Sequence, residues 1–172
     1  TVCWRGQEGS AAMQHVLAAS MRAPSGDNCQ PFRFEVTGSK IKVIHVEERA
    51  RHALNFGNIA SYLTLGTVVE NMHIAASEYG MRLHAQILIP RGLGDVAAEC
   101  VWAMIELVEE SSVVQRDILA DALWARHVDR RTFVRQADAS SRIQELMDNI
   151  VPGQNCALHL TTDLGERLTA LQ

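Results

Sequence analysis

Lysine is scarce in this chain: only Lys40 and Lys42 occur, against fourteen arginines. The net charge is −4 and the pI is about 5.9, so positive charge is not in excess overall. Proteins that bind nucleic acids usually present a basic surface, and this balance argues against that class of partner. The preference for arginine over lysine says little by itself, because genome composition can produce the same bias.

Closely spaced cysteines and histidines are also lacking. The four cysteines stand far apart, and no two have the spacing of a zinc knuckle or a redox pair. Isolated thiols fit a reducing cytosol better than a disulfide scaffold, so we expect a cytoplasmic protein. The seven histidines form no HxH, HxxxH or HExxH pattern, so we expect no metal site.

Three common active-site signatures are missing as well, namely the GxGxxG loop, the Walker loop and the GxSxG elbow. Apolar residues make up 47% of the chain and charged residues 21%, which is typical of a soluble globular protein. The length suits one core, and we predict a single domain over residues 1–172. The chain begins without methionine and shows no secretory leader, so a fragment of a longer protein is also compatible with it.

Hydrophobic periodicity predicts an α+β fold, with a mainly antiparallel sheet around one long helix. The predicted helices are Ser10–Met21, Asn58–Tyr79, Val113–Arg126, Ser140–Ile150 and Asp163–Leu171. The predicted strands are Phe32–Val36, Lys40–Val46, Leu83–Ile89, Cys100–Val108 and Ala157–Thr161. The first two strands are separated by a short turn and should form a hairpin.

The longest periodic stretch, Asn58–Tyr79, carries apolar residues on several sides, so we expect a helix that is buried nearly all round. A membrane span is the alternative, but Glu70, Asn71 and His73 in its middle would be costly in lipid. We therefore interpret it as the central helix of a core and expect no membrane association. Its broad apolar surface also suggests an isologous interface, and hence a homodimer.

The segment Arg22–Pro31, called here the polar loop, joins the first predicted helix to the first strand. Ser25, Asp27, Asn28 and Gln30 supply hydrogen-bond donors and acceptors within a few residues. Such a loop suits a planar heterocycle, because amide side chains donate and accept at once. The alternative is an ordinary connection whose polar side chains bond to its own backbone, and composition alone favours this alternative.

The polar loop resembles the early sequence pattern of the nitroreductase family of FMN-dependent flavoproteins. The matching residues are Pro24, Ser25, Asn28, Gln30, Pro31 and Phe32, with Phe where Trp is usual. The long helix is similar to the family's central helix, and the segment Trp124–Phe133 is similar to a segment of one branch of that family. This branch includes flavin-sequestering proteins and nitroreductase-like domains fused to adenylating domains. Only the loop pattern is specific.

The resemblance implies a nitroreductase-like fold, incomplete at its C-terminus, in which Ser25 and Asn28 contact FMN at a dimer interface. Arg22, Asp27 and Gln30 are weaker candidates for cofactor contacts. The implied activity is hydride transfer from NAD(P)H through the flavin to a small-molecule acceptor, either nitroaromatic or quinone-like. No side chain is implied as an obligatory acid or base.

Two departures from the family pattern concern the phosphate of FMN. The family opens with an Arg-Ser-Arg-like cluster where this chain has only Arg5, and the family's late basic residue has no counterpart before Gln172. Four arginines do cluster within ten residues, and we predict Arg130 and Arg131 as a clamp for a flavin or nicotinamide phosphate. The alternative is a set of exposed arginines that pair with nearby acids.

The same departures support a second function class. In this second class the chain is a flavin-storing or degenerate nitroreductase-like module with a regulatory or accessory role. Such a module can stand alone or form part of a larger fused enzyme.

Overall fold

The computed structural model describes residues 4–5, 10–89, 99–110, 112–129, 131–132 and 141–145. The chain divides into two compact units, Thr1–His127 and Val128–Gln172. The helices of the first unit are α1 Ala11–Ser20, α2 Glu47–Ala50, α3 Ile59–Ser77 and α4 Ala120–Ala125. Its strands are β1 Trp4–Arg5, β2 Phe32–Thr37, β3 Lys40–Val46, β4 Met81–Ile87 and β5 Glu99–Glu109.

The five strands form one sheet in the order β1-β2-β3-β5-β4. Only β1 runs parallel to its neighbour, β2, and the other three pairings are antiparallel. The predicted hairpin is confirmed: Thr37 pairs with Lys40 across a turn in which Gly38 has φ +60°, a left-handed value that glycine adopts without a Cβ clash. The predicted α+β class, with a mainly antiparallel sheet and one long helix, is therefore confirmed.

The hydrophobic core lies where α1 and α3 meet the sheet. Ser10 is the N-cap of helix α1, and its Oγ accepts a hydrogen bond from the Met13 N–H at 3.3 Å. Its buried face consists of the apolar residues that the periodicity indicated, including Met13, Val16 and Leu17. Each fully buried aliphatic side chain of this size contributes about 1.5–3 kcal/mol to folding.

The long helix α3 is not buried nearly all round, so that prediction was wrong. Its residues Ile59, Leu63, Gly66, Glu70 and His73 follow helical spacing and form one exposed face. The first unit covers the opposite face with α1 and the sheet, which leaves this face without a covering element among the described residues.

The exposed face of α3 begins with an unusual group of large apolar side chains. We call this group the apolar ridge; it consists of Leu54, Phe56, Ile59 and Leu63, with exposed fractions of 73%, 86%, 58% and 69%. A monomeric protein seldom exposes several such side chains together unless they meet another surface.

The helix predicted over Val113–Arg126 was wrong in its first half, because only Ala120–Ala125 is helical. The Asp117 N–H donates to Ser77 Oγ at 2.8 Å, and Asp117 Oδ1 accepts from the Leu119 N–H at 2.7 Å. Such local side-chain bonds compete with helical ones. Val113 and Ile118 stay more than 90% exposed, so the apolar spacing there reflects no buried face.

In the second unit, residues 141–145 are helical, in agreement with part of the helix predicted over Ser140–Ile150. The rest of that helix, the strand Ala157–Thr161 and the helix Asp163–Leu171 lie outside the described residues. The single domain over 1–172 stays a prediction. Within the described segments, no helix combines the length and apolarity needed to cross a bilayer.

Candidate functional site

The polar loop has a strained backbone. It contains a 3₁₀ turn over Gly26–Asn28, and three residues that are not glycine adopt left-handed φ angles: Asp27 (49°), Asn28 (56°) and Gln30 (45°). Asp and Asn tolerate this region better than Gln does. Residues in such conformations persist only where their surroundings hold them, and they concentrate at functional sites.

Two of the predicted cofactor residues hold the loop in shape. Ser25 Oγ accepts a hydrogen bond from the Gln30 N–H at 3.0 Å, and Gln30 Nε2 donates to the Met21 carbonyl at 3.3 Å. Outside the loop, Thr67 Oγ1 lies 3.4 Å from the Pro24 carbonyl and ties the loop to α3. The ordinary-connection alternative therefore accounts for the described bonds of Ser25 and Gln30.

A small cleft of about 20 Å³ lies beside the loop. Ser25 and Gln30 stand at its polar side, and most of the remaining lining is apolar. The other lining residues are Ser20, Met21, Ala23, Pro31, Phe32, Phe34, Thr64 and Val68. Sites for small molecules usually enclose about 300–1,000 Å³, so the cleft in one chain is far smaller than a complete site of that kind.

The other loop candidates face outward. The Asn28 side chain is exposed, and its amide has no hydrogen-bond partner among the described residues. Asp27 is exposed too, and its Oδ2 lies 3.7 Å from His52 Nδ1. Cys29 lies between Asn28 and Gln30. Burial raises the pKa of its thiol, although a hydrogen bond with Ser25 opposes the shift. Cys29 is therefore a neutral thiol near pH 7 and a poor nucleophile.

His52 is a neighbour of the loop that the sequence analysis missed. A Cβ atom placed on Gly26 would lie 2.7 Å from His52 Cε1 and 3.0 Å from Nε2, so the backbone of Gly26 rests directly on the imidazole ring. Both ring nitrogens are buried and have no hydrogen-bond partner within the described part of the chain. A glycine among polar loop residues was the only sequence signal for such a close approach.

Arg22 is engaged elsewhere. Its Nη2 donates to the Trp124 carbonyl at 2.7 Å and to the Arg126 carbonyl at 3.3 Å, and its guanidinium lies 5.7 Å from the centroid of the Trp124 ring. Arg126 in turn donates to the Arg22 carbonyl. These reciprocal bonds fasten the start of the polar loop to the end of α4, so a cofactor contact by Arg22 stays a prediction.

Of the two clamp arginines, Arg130 lies outside the described residues. Arg131 belongs to the second unit and bonds to Asp129 through Nε at 2.9 Å and Nη2 at 2.6 Å. Hydrogen bonds from Arg131 lower the pKa of the Asp129 carboxyl below its usual value. This exposed pair is the alternative given above for these arginines, and the phosphate clamp stays a prediction.

A second polar cluster lies in the core at the start of α3. His45 Nε2 lies 3.2 Å from Ser61 Oγ, and the His45 ring stacks on Trp102 with centroids 4.0 Å apart. Burial lowers the pKa of His45, although the carboxylate of Glu47, with Oε2 at 3.8 Å from Nδ1, opposes the shift. The order Glu47-His45-Ser61 resembles a hydrolase triad, but Ser61 is only 1% exposed and cannot meet a substrate.

Asn55 completes this buried cluster. Its Nδ2 donates to the Ala50 carbonyl at 2.8 Å and to Ser61 Oγ at 3.0 Å, and its Oδ1 accepts from the Ser61 N–H at 3.0 Å. All these bonds join parts of the framework. The cluster therefore fixes the first turn of α3 and is not a reaction centre.

Comparison of the sequence with protein-family models and with curated proteins finds no match. The structure is similar to a candidate NADH oxidase from Clostridium acetobutylicum, with 15% identity, a TM-score of 0.49 and coverage of 74% of this chain and 93% of the other.

Two further similar structures carry the nitroreductase name. One is a candidate nitroreductase from Desulfovibrio desulfuricans in complex with FMN, with 20% identity, a TM-score of 0.47 and coverage of 74% and 91%. The other is a nitroreductase family protein from Clostridium difficile 630, with 15% identity, a TM-score of 0.48 and coverage of 75% and 90%. Likeness of this degree concerns the course of the backbone and not the chemistry of this chain.

Proposed function

We propose that this chain is an FMN-dependent NAD(P)H oxidoreductase of the reducing cytosol that acts on nitroaromatic or quinone-like acceptors. One observation carries the proposal. The loop that resembles the flavin-binding pattern holds three non-glycine residues in left-handed conformations beside an apolar cleft. The loop of residues 51–58 holds one such residue, Asn58, whose side chain is bonded to Asn55, whereas the exposed Asn28 amide of the polar loop has no described partner.

The residues at the loop suit a flat heterocycle. Phe32, Phe34 and Val68 give the cleft an apolar lining, and the exposed Asn28 amide is a donor and acceptor without a described partner. In this proposal Asn28 makes the direct contact, while Ser25 and Gln30 keep the loop in shape. Bound FMN would supply the hydride-accepting chemistry, and the protein would bind and orient it.

We propose further that a second copy of the chain completes the site. The cleft of one chain is small, and Thr64, which lines it, directly follows Leu63 of the apolar ridge on α3. Covering the ridge with its symmetry mate would remove four large apolar side chains from water.

The dimer is tested by introducing a charge on the ridge. We expect Leu63→Glu to convert a homodimer into a monomer in sedimentation-equilibrium measurements, because a buried unpaired carboxylate is costly. The control is His84→Glu, which places the same charge on the exposed side of β4. Thr67→Glu is not a suitable control because Thr67 bonds to the loop. A monomeric wild-type chain would contradict the dimer without deciding the cofactor.

The cofactor and the activity are tested in sequence. The absorbance spectrum of the purified protein should show flavin bands, or acquire them after FMN is added and unbound FMN removed. The FMN-loaded protein should then oxidise NADH or NADPH in the presence of a nitroaromatic or quinone acceptor. A protein that remains colourless with excess FMN contradicts the proposal.

A specific observation keeps the storage function as a second candidate. The guanidinium groups of Arg22 and Arg131, the two described arginines among the predicted cofactor residues, are already bonded within the protein. A yellow protein whose flavin neither NADH nor NADPH reduces would favour a flavin-storing or accessory module, including one within a larger fused enzyme.

A further inference from the structure

We infer that His52 is a positioning residue of the polar loop: its ring supports the backbone at Gly26, and its Nδ1 binds Asp27 when the loop holds its ligand. This inference rests on the proposed flavin-binding role of the loop. It assigns His52 no contact with the ligand, only the task of presenting Asn28 to it.

The first argument is steric. Gly26 lies in a narrow slot between the His52 ring and Ala60 of α3, and even a methyl group at position 26 would approach the ring to 2.7 Å. The three left-handed residues begin at the next position, Asp27. A rigid imidazole directly under the turn is the kind of support that a strained backbone requires.

The second argument concerns hydrogen bonding. A buried polar nitrogen without a partner is unfavourable, and each such atom in a folded protein needs an explanation. The distance from His52 Nδ1 to Asp27 Oδ2 is 3.7 Å, somewhat beyond the ~3 Å of a hydrogen bond. A small inward movement of Asp27 would form the bond, and the adjacent Asn28 would move with it. Asp27 Oδ2 thus lies close to, but not within, hydrogen-bond distance of His52 Nδ1.

Two substitutions separate the two roles of the ring. His52→Phe keeps a planar ring under Gly26 but removes both nitrogens, and His52→Ala removes the support as well. The matched control is His84→Ala, because His84 is an exposed histidine on β4. The first readout is the FMN dissociation constant from flavin fluorescence.

The second readout needs no flavin. Cys29 lies within the loop, so its alkylation rate by iodoacetamide reports opening of the loop once Cys3, Cys100 and Cys156 are replaced by serine. We expect His52→Ala to raise this rate about tenfold and to weaken FMN binding at least tenfold. We expect His52→Phe to leave the rate near the wild-type value but to weaken FMN binding about fivefold.

The contact with Asp27 is tested by a double-mutant cycle on FMN affinity. Asp27→Gly, which keeps the left-handed φ of 49° accessible and removes the acceptor, and His52→Phe should each weaken binding about fivefold, and the double variant should be no weaker than either. Additive losses would overturn the Asp27 contact, and a wild-type Cys29 rate in His52→Ala would overturn the support. If the wild-type chain binds no FMN, the proposed function fails, but the Cys29 rates still decide whether His52 supports the loop. If His52→Ala does not fold, His52→Phe and the cycle carry the test.

Discussion

Two loops pack against the first turns of α3, and they use asparagine in opposite ways. In residues 51–58, Asn55 is 8% exposed and bonds to the Ala50 carbonyl and to Ser61. In the polar loop, Asn28 is exposed and its amide has no described partner. Both loops contain left-handed asparagine, with φ 61° at Asn58 and 56° at Asn28. Left-handed backbone alone therefore does not identify a binding site. The polar loop differs from residues 51–58 in the Asn28 amide, whose hydrogen-bonding groups no described residue engages and which can therefore bind a ligand.

The comparison predicts its largest effect on stability at Asn55. Replacing it with alanine removes the hydrogen bond that the buried Ser61 N–H donates to it, and takes one of two partners from both the Ala50 carbonyl and Ser61 Oγ, so Asn55→Ala should lower the free energy of unfolding by about 2–4 kcal/mol. Urea denaturation measures the change. Asn28→Ala is the matched control, expected to lose only about 1 kcal/mol, because alanine tolerates the left-handed φ of 56° less well than asparagine does. Equal losses in the two variants would contradict the distinction between the loops.

The glycine of the polar loop should show an intermediate effect. Gly26→Ala places a methyl group against the His52 ring, and we expect a loss of about 1–3 kcal/mol in unfolding free energy from overpacking. Gly66→Ala is the control, because that helical position is open; it should stabilise α3 by about 0.5–1 kcal/mol. Thermal denaturation followed by circular dichroism distinguishes these opposite shifts in Tm. A Gly26→Ala protein as stable as the wild type would contradict the close contact between Gly26 and His52.

The effect at Asn28 should appear mainly in ligand binding, beyond the small backbone cost in folding. We expect Asn28→Ala to weaken FMN binding about tenfold or more, which corresponds to the loss of one buried hydrogen bond of about 1.4 kcal/mol. Fluorescence titration with FMN gives the dissociation constant. Asn58→Ala, on the other loop, should bind FMN as the wild type does, whatever it loses in stability. Unchanged affinity at Asn28 would reverse the roles assigned to the two loops.

Glu78 lies at the C-terminal end of α3, outside both loops, and we expect the smallest effect on stability there. Burial raises the pKa of the Glu78 carboxyl, but hydrogen bonds from His15 and Trp124 outweigh it and leave the folded-state pKa below the ordinary value. The stability from these contacts is therefore present above the unfolded-state pKa and is lost as the pH falls through the folded-state pKa.

Acid titration of stability checks this contribution. We expect the wild type to lose about 1 kcal/mol more than Glu78→Gln between pH 6 and the acid range below pH 4. Urea midpoints at several pH values give the comparison. Parallel curves for the two proteins would show that Glu78 contributes nothing by its charge, and the FMN affinity of Glu78→Gln should stay at the wild-type value.

The elements that could be predicted from the sequence are those whose side-chain periodicity matches a buried face. The alternation from Phe32 to Val36 and the helical spacing of α3 correspond to real contacts with the core. The spacing over Val113–Arg126 does not, because Asp117 directs local hydrogen bonds that end the helix pattern and leave Ile118 in solvent. Strand β1 is two residues long and gives no periodic signal.

The polar loop could be found by its sequence pattern, but its supports could not. His52 lies twenty-six positions beyond Gly26 and meets it only because α2 and the start of α3 return the chain to the loop. The same holds for the bond between His45 and Ser61, which depends on where β3 ends relative to α3. Contacts of this kind follow from tertiary packing, which a local pattern of residue types does not encode.

The strand order also bears on how the protein acquires its structure. β2 and β3 are neighbours along the chain and can pair as soon as both exist, whereas β5 must enter between β3 and β4 after a long intervening stretch. Pairings between distant segments form slowly, because the chain entropy of closing a long loop opposes them. The hairpin should thus form early, and the pairing of β5 with β3 should be the slower step that completes the sheet.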